Sequence, residues 1–206
     1  SLDIIEKCEK NKTKLYVNYF RRSEPGILKI KSMLNSKEFL LPFKGVCWYS
    51  KGLFNSSSHL INLMQFFFGE INHFEVLGKD PINNDIEIDF LLKFSEGEII
   101  FLCNKNKSLF FNSVEIVLQN GNLNLVNGGS KIFWQPMKND ERFNGYNIIE
   151  YPGKIIKNDF DKLQLHVVKQ LSYAIKKNKA ELCSGREALK TDWVLNELKK
   201  ENDKKN

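Results

Sequence analysis

Between residues 86 and 134, apolar side chains recur at every second position and are interrupted by short polar turns. Ile86, Ile88, Phe90, Leu92 and Phe94 alternate with Glu87, Asp89 and Lys93, Leu91 being the exception. Ser95-Glu96-Gly97-Glu98 turns the chain into the run Ile99 to Cys103, and Val114, Ile116 and Leu118 form a further row. Asn120-Gly121 is a strong hairpin turn, after which Leu123, Leu125 and Lys131 to Trp134 continue the pattern. A period of two marks strands with one face buried. Turns this short permit only antiparallel pairing. The rows are half polar, so a single sheet is expected, covered on one side. Gly128-Gly129 reads as a turn between strands. Side chains such as Trp134 and Tyr146 are expected on the other face, which has no sequence-local cover and is suited to burial against another subunit.

The flanking segments carry the cover. Ser1 is placed to cap a helix over residues 1 to about 12, with Leu2, Ile5 and Cys8 at helical spacing, and Leu15 to Phe20 reads as a short strand. Helix then strand, with no strand before them, reads as the tail of an α/β unit. Pro25 opens a second helix with an Ile27, Ile30, Met33/Leu34 stripe, and Leu40 to Tyr49 is a strand. From Phe160 a helix carries Leu163, Val167, Leu171 and Ile175 four apart, with His166 as an ordinary helix residue. Ser184-Gly185-Arg186-Glu187 is a capping box for a last helix through Leu189, Trp193 and Leu198, leaving 199–206 as a polar tail. The fold class is therefore α+β: an open, mostly antiparallel sheet of five or six strands with helices packed on one face. The divisions fall at 1–20, 21–198 and 199–206.

Several function classes are excluded or set aside by composition. At 206 residues, 42% hydrophobic and with 16 Phe, the chain can bury a sizeable core. No apolar window approaches the ~18 residues of a membrane span. The first residues have no signal-peptide plan. Cys8, Cys47, Cys103 and Cys183 are scattered, with no C-x-x-C pair or zinc spacing, so free buried thiols and a cytoplasmic chain without metal are expected. The net charge is +6, and residues 1–51 carry 11 Lys/Arg against 5 Asp/Glu. That surplus lacks a dense basic run with interleaved aromatics, so a nucleic-acid partner ranks last. Neither G-x-G-x-x-G nor G-x-x-x-x-G-K-[ST] occurs, so no dinucleotide cradle is expected in these residues.

Chemistry concentrates at Lys51 to Leu63. A glycine hinge, three serines suited to capping and His59 open an apolar helix; Leu60, Leu63, Met64, Phe67 and Phe68 form its arc. His59, Asn62 and Phe66 share the other edge, and Asn55 precedes the helix, where the chain can fold back toward His59. This polar corner is a candidate pocket lip. The plain alternative is a surface histidine with capping serines. Arg21 and Arg22, at the end of a strand, are the second candidates, able to hold a phosphate or carboxylate bidentately. Their alternative is pairing with acidic groups across an interface.

The run K-G-x-x-x-N-S-x-S-H-x-I-N-L with F-F-F-G after it resembles the C-terminal half of the glucose–fructose oxidoreductase / inositol dehydrogenase (Gfo/Idh/MocA) family. Asn18-Tyr19-Phe20-Arg21-Arg22-Ser23-Glu24-Pro25 is similar to that family's crossover segment, and 182–189 to its closing helix. The resemblance covers nearly the whole chain. It implies that residues 1–20 are the last helix and strand of a Rossmann domain, and that 21–198 form a substrate-binding and oligomerisation domain. It implies a parent oxidoreductase using NAD or NADP on a sugar or nucleotide-linked sugar, of the kind serving surface polysaccharides, and a homodimer or tetramer through the open sheet. His59 falls on the acid–base position, its pKa expected near neutrality, and Asn55 on the Asp/Asn position; Asn62 stands where Asp is usual. Lys51, Asn62, Arg21 and Arg22 are then substrate-binding candidates. The family's Lys from an E-K-P segment is missing, so this chain alone is expected to be inactive and to bind no cofactor. A non-catalytic sugar-binding or scaffold protein on the same fold is the alternative.

Overall fold

The alternating rows do build a sheet, and its order is set by one strand from outside them. The computed structural model describes residues 2–78, 86–177 and 180–204. Phe43–Tyr49 (β2) lies at the centre, parallel to Gly97–Cys103 (β5) and antiparallel to Ser113–Leu118 (β6). Phe90–Phe94 (β4) and His73–Val76 (β3) extend the sheet beyond β5. Gly121–Val126 (β7), Lys131–Asn139 (β8) and Lys154–Ile155 (β10) extend it beyond β6, and Asn147–Ile149 (β9) also pairs with β8. The result is an open, mixed, mostly antiparallel sheet of nine strands rather than five or six. The additional strands, β3, β9 and β10, are short and half polar, with too few residues to show a period.

Helices Pro25–Asn35 (α2), Ser58–Phe68 (α3) and Gly185–Lys204 (α5) cover one face. Ile27, Ile30 and Met33 from α2, Leu60, Leu63, Met64 and Phe67 from α3, and Val194, Leu195 and Leu198 from α5 meet the inward residues of the strands in one core. Glu24 accepts a hydrogen bond from the Ile27 backbone nitrogen, and Pro25 occupies the first turn of α2, as expected. The Ser184–Glu187 capping box is present: Glu187 Oε2 accepts from the backbone nitrogen and hydroxyl of Ser184 at 2.8 Å each. All four cysteines are free, and no helix among the described residues is long and apolar enough to cross a membrane.

Several expectations are corrected. Trp134 faces the core, its ring 4.2 Å from that of Phe39, because β8 turns Ile132 and Trp134 inward and Phe133 and Gln135 outward. Tyr146 lies in the turn between β8 and β9, so the open face carries Trp48, Ile100 and Val117 instead. Residues 86–89 are buried alternately, as read, but lie outside β4: the Tyr49 hydroxyl occupies both the nitrogen and the carbonyl of Ile88. The β6–β7 hairpin pairs Leu118 with Gly121, so Gln119 and Asn120 form its tip, one residue earlier than read.

The first helix, Leu2–Lys10 (α1), is as expected, while its proposed cap, Ser1, lies outside the described residues. The strand after it is only Tyr16–Val17 (β1), which pairs with Cys183–Ser184 (β11); Phe20 instead opens a tight 3-10 turn, Phe20–Ser23. The helix after the sheet, Leu163–Lys177 (α4), buries His166 and Ala174, while Leu171 and Ile175 are exposed. A four-residue spacing drifts around a helix of 3.6 residues per turn, so the far end of the stripe rotates into solvent. Residues 199–204 are not a tail. They complete α5, where Asn202 is fully buried, Glu201 meets the Val76 nitrogen at 3.4 Å, and Lys199–Asp203 pair one turn apart.

Candidate active site

The chain leaves β2 at Ser50 and turns sharply at Lys51, which has a left-handed backbone (φ 67°). Gly52–Ser57 then forms a π-helical turn that runs directly into α3. The helix therefore starts well before the serines. Ser57 and Ser58 do not cap it; their hydroxyls bond back to the carbonyls of Leu53 at 2.6 Å and Asn55 at 2.8 Å. Asn55 lies inside the wide turn, exposed, one turn ahead of His59. Wide turns of this kind recur at functional sites because they push side chains out of the regular helical surface.

His59 is wedged between aromatic rings. Its imidazole centroid is 5.2 Å from Tyr19, edge-on, and 4.9 Å from Phe20. Its Nδ1 is buried with no hydrogen-bond partner among the described residues. Such a buried orphan costs about 1–3 kcal/mol. Burial first, and the Arg21 charge second, push its pKa down to about 4 rather than leaving it near neutrality. At pH 7 the ring is neutral and able to accept a proton.

The two arginines occupy the 3-10 turn, not a strand end, and are both buried. Arg22 is 3% exposed and taken up within the fold: Nε donates to Asn62 Oδ1 at 2.7 Å and Nη1 to Glu187 Oε1 at 2.6 Å, with the guanidinium over Phe66. Asn62, 0% exposed, donates in turn to the Thr191 hydroxyl at 2.9 Å, and Thr191 to Gln65 at 2.6 Å. Arg22 and Asn62 thus lock α3 to the crossover turn and to α5. The substrate-contact role expected of them does not fit this burial. Lys51 is exposed, and its Nζ reaches the Lys107 carbonyl at 3.5 Å. Arg21 is different: its Nε donates to the Gly128 carbonyl at 3.1 Å, and its guanidinium lies 5.0 Å from the Phe20 ring, which also meets His59.

Sequence reasoning missed Asn112. Buried at the start of β6, it accepts from the Ser50 nitrogen at 3.0 Å, donates to the Ser56 hydroxyl at 2.8 Å, and takes the Gly128 nitrogen on its carbonyl at 2.7 Å. It ties the end of β2, the wide turn and the Gly128-Gly129 turn into one frame around His59. An Asn between two strands looks like a turn former, so no local signal marks it. Tyr19 and Phe20 were likewise read as strand residues. The largest of the described cavities, about 720 Å³, lies at the opposite end of β2, between Phe43, Lys93, Gly97 and Val117, far from this chemistry.

Among the described residues none is placed to cradle a dinucleotide. The Gly128-Gly129 turn joins antiparallel strands instead of leading a strand into a helix, and the one parallel pair, β2–β5, has no glycine-rich turn at its carboxyl ends. No cluster of three or more metal-ligating side chains occurs among the described residues.

No model of a known protein family matches the chain, and no curated protein sequence matches it. Solved structures do. The chain is similar to an NAD binding oxidoreductase from Klebsiella pneumoniae at 12% identity and a TM-score of 0.74, covering 100% of this chain and 68% of that one. It matches aldose-aldose oxidoreductase from Caulobacter crescentus, complexed with glycerol, at 14% identity and a TM-score of 0.71, covering 98% and 65%. A third match is UDP-N-acetylglucosamine 3-dehydrogenase from Acidithiobacillus ferrooxidans, at 10% and 0.68, covering 97% and 64%. The fold is that of Gfo/Idh/MocA-type oxidoreductases. The chain spans about two thirds of the length of these proteins. At such identities the likeness is one of fold.

Proposed function

We propose that this chain is the substrate-binding and oligomerisation part of an NAD(P)-dependent oxidoreductase acting on a sugar or nucleotide-linked sugar. The observation that carries the reading is His59: a neutral imidazole at a partly open corner, held by aromatic rings with a buried nitrogen unpaired. A fold keeps such a group at a cost, and functional sites are where that cost is tolerated. In this reading His59 takes the proton from the carbinol oxygen during oxidation and returns it during reduction. Asn55, one turn earlier and exposed, orients the sugar hydroxyl. An Asn at that position supports nucleotide-linked sugars of the surface-polysaccharide type. Residues 1–20 are the end of the nucleotide-binding domain, and 21–204 form the substrate domain.

In this reading the nicotinamide is held by the nucleotide-binding domain of the full-length protein. What this part supplies is the proton acceptor and the sugar contacts. Trp48, Ile100 and Val117 on the open face, flanking an amide ladder of Asn122, Asn124 and Gln135, support pairing of subunits through the sheet. The test is NAD(P)H formation by the full-length protein over a panel of sugars and nucleotide sugars. Turnover abolished by His59→Ala, with sugar binding kept, is the expected result. Unchanged turnover in that variant would refute the assignment, and a full-length protein inert with every nicotinamide would leave a sugar-binding scaffold.

A further inference from the structure

Arg21 is 9% exposed, and burying a guanidinium without an acidic partner is unfavourable. Its neighbour Arg22 meets that requirement with Glu187 and Asn62. For Arg21 the one acceptor among the described residues is the Gly128 carbonyl, taken by Nε; no carboxylate pairs with it. The Nη edge of its fork is left without an acceptor. Burial accordingly lowers its pKa to about 10, and it stays charged at pH 7.

Gly128 has φ +69°, and a Cβ there would stand 3.4 Å from Nη2. Only glycine adopts this backbone without strain. The Phe20 ring, 5.0 Å from the Arg21 guanidinium and 4.9 Å from the His59 ring, brings the fork and the imidazole against one side chain. A planar fork with unused parallel N–H groups is the geometry that receives a carboxylate or phosphate bidentately.

We propose that the Nη edge of Arg21 receives an oxyanion carried by the sugar substrate, so that this site selects acidic sugars over neutral ones. The inference rests on the sugar-site reading above. The anion completes the missing charge pair. It also offsets the positive charge beside His59, so the bound substrate makes the imidazole a stronger base than it is in the free protein.

The test is direct binding by this chain of glucose, glucuronate, glucose 6-phosphate and inorganic phosphate, followed by calorimetry. One charge-assisted contact predicts that at least one of the two acidic sugars binds about tenfold tighter than glucose or more. Arg21→Met, which keeps length and removes charge, should bring the binding of acidic sugars down to that of glucose. Preference for glucuronate assigns a carboxylate, and preference for glucose 6-phosphate a phosphate ester. Equal binding of acidic and neutral sugars, an advantage that survives in Arg21→Met, or binding of inorganic phosphate alone would each overturn the proposal. Should Arg21→Met fail to fold, the wild-type protein still decides: the His59 imidazole pKa, read by NMR, should rise with saturating acidic sugar, and an unchanged value refutes the anchor. A full-length His59→Ala variant that turns over as before, while the Arg21-dependent preference persists, would remove the His59 reading and leave the anion site standing.

Discussion

Arg21 and Arg22 are adjacent in the chain and buried side by side in one turn, yet their surroundings are opposite. Around Arg22 the polar groups close on one another: Asn62, Glu187, Thr191, Gln65 and Ser184 form a chain of hydrogen bonds joining the crossover, α3 and α5. Around Arg21 and His59 they do not, and a charge and a ring nitrogen are left with fewer partners than burial calls for. The first region is built for stability. The second gives stability up, and the difference separates framework from function in two residues that look alike in the sequence.

The largest expected effect lies in the closed region. Asn62→Leu removes one of the two acceptors of a buried guanidinium and should destabilise the protein by about 2–3 kcal/mol in denaturant unfolding. A loss under 1 kcal/mol would show that the Arg22 network is not the clamp described. On the open side, Gly128→Ala forces a left-handed backbone on alanine beside Arg21 and should cost about 1–2 kcal/mol. His59→Phe should move the other way. It replaces the unpaired nitrogen with carbon among Tyr19 and Phe20, raising stability by about 1 kcal/mol and Tm by roughly 2–4 °C while abolishing turnover. A destabilised His59→Phe would mean that the ring is satisfied and the contrast false.

The smallest effect is in the pH dependence. The folded pKa of His59 is about 4, below the ordinary value of 6.5, so the fold prefers the neutral ring. This contribution is fully present above pH 6.5 and is lost as pH falls from there toward 4, because the unfolded chain takes up the proton first. The wild-type stability should therefore decline between pH 6.5 and 5 more steeply than that of His59→Phe. Identical slopes would contradict it.

How much of this was legible depends on the range of the interaction that decides it. The period-two rows located the sheet core, since burial alternation is written locally, and the Ser184–Glu187 cap is a four-residue signal. The same rows put Ile86 and Ile88 in a ladder, but the Leu53 nitrogen takes the Ile86 carbonyl and the Tyr49 hydroxyl, 39 residues from Ile88, takes both backbone groups of Ile88. The π-helical turn could not be read, because the serines that suggested capping bond backwards inside it. Arg21 and Arg22 were found together and separated only by Glu187, Asn62 and Gly128, each from a distant segment. The chain end looked like a tail because its apolar content is low, although Asn202 is buried and charge pairs extend the helix.

The chain has three histidines, which makes one measurement decisive. Titration of the His59 imidazole by NMR, alone and with substrate sugars, reads the unpaired pocket directly. The account predicts a neutral ring with a pKa of about 4, whose signals move on addition of sugar. A His59 that titrates near 6.5 and ignores every sugar would contradict it.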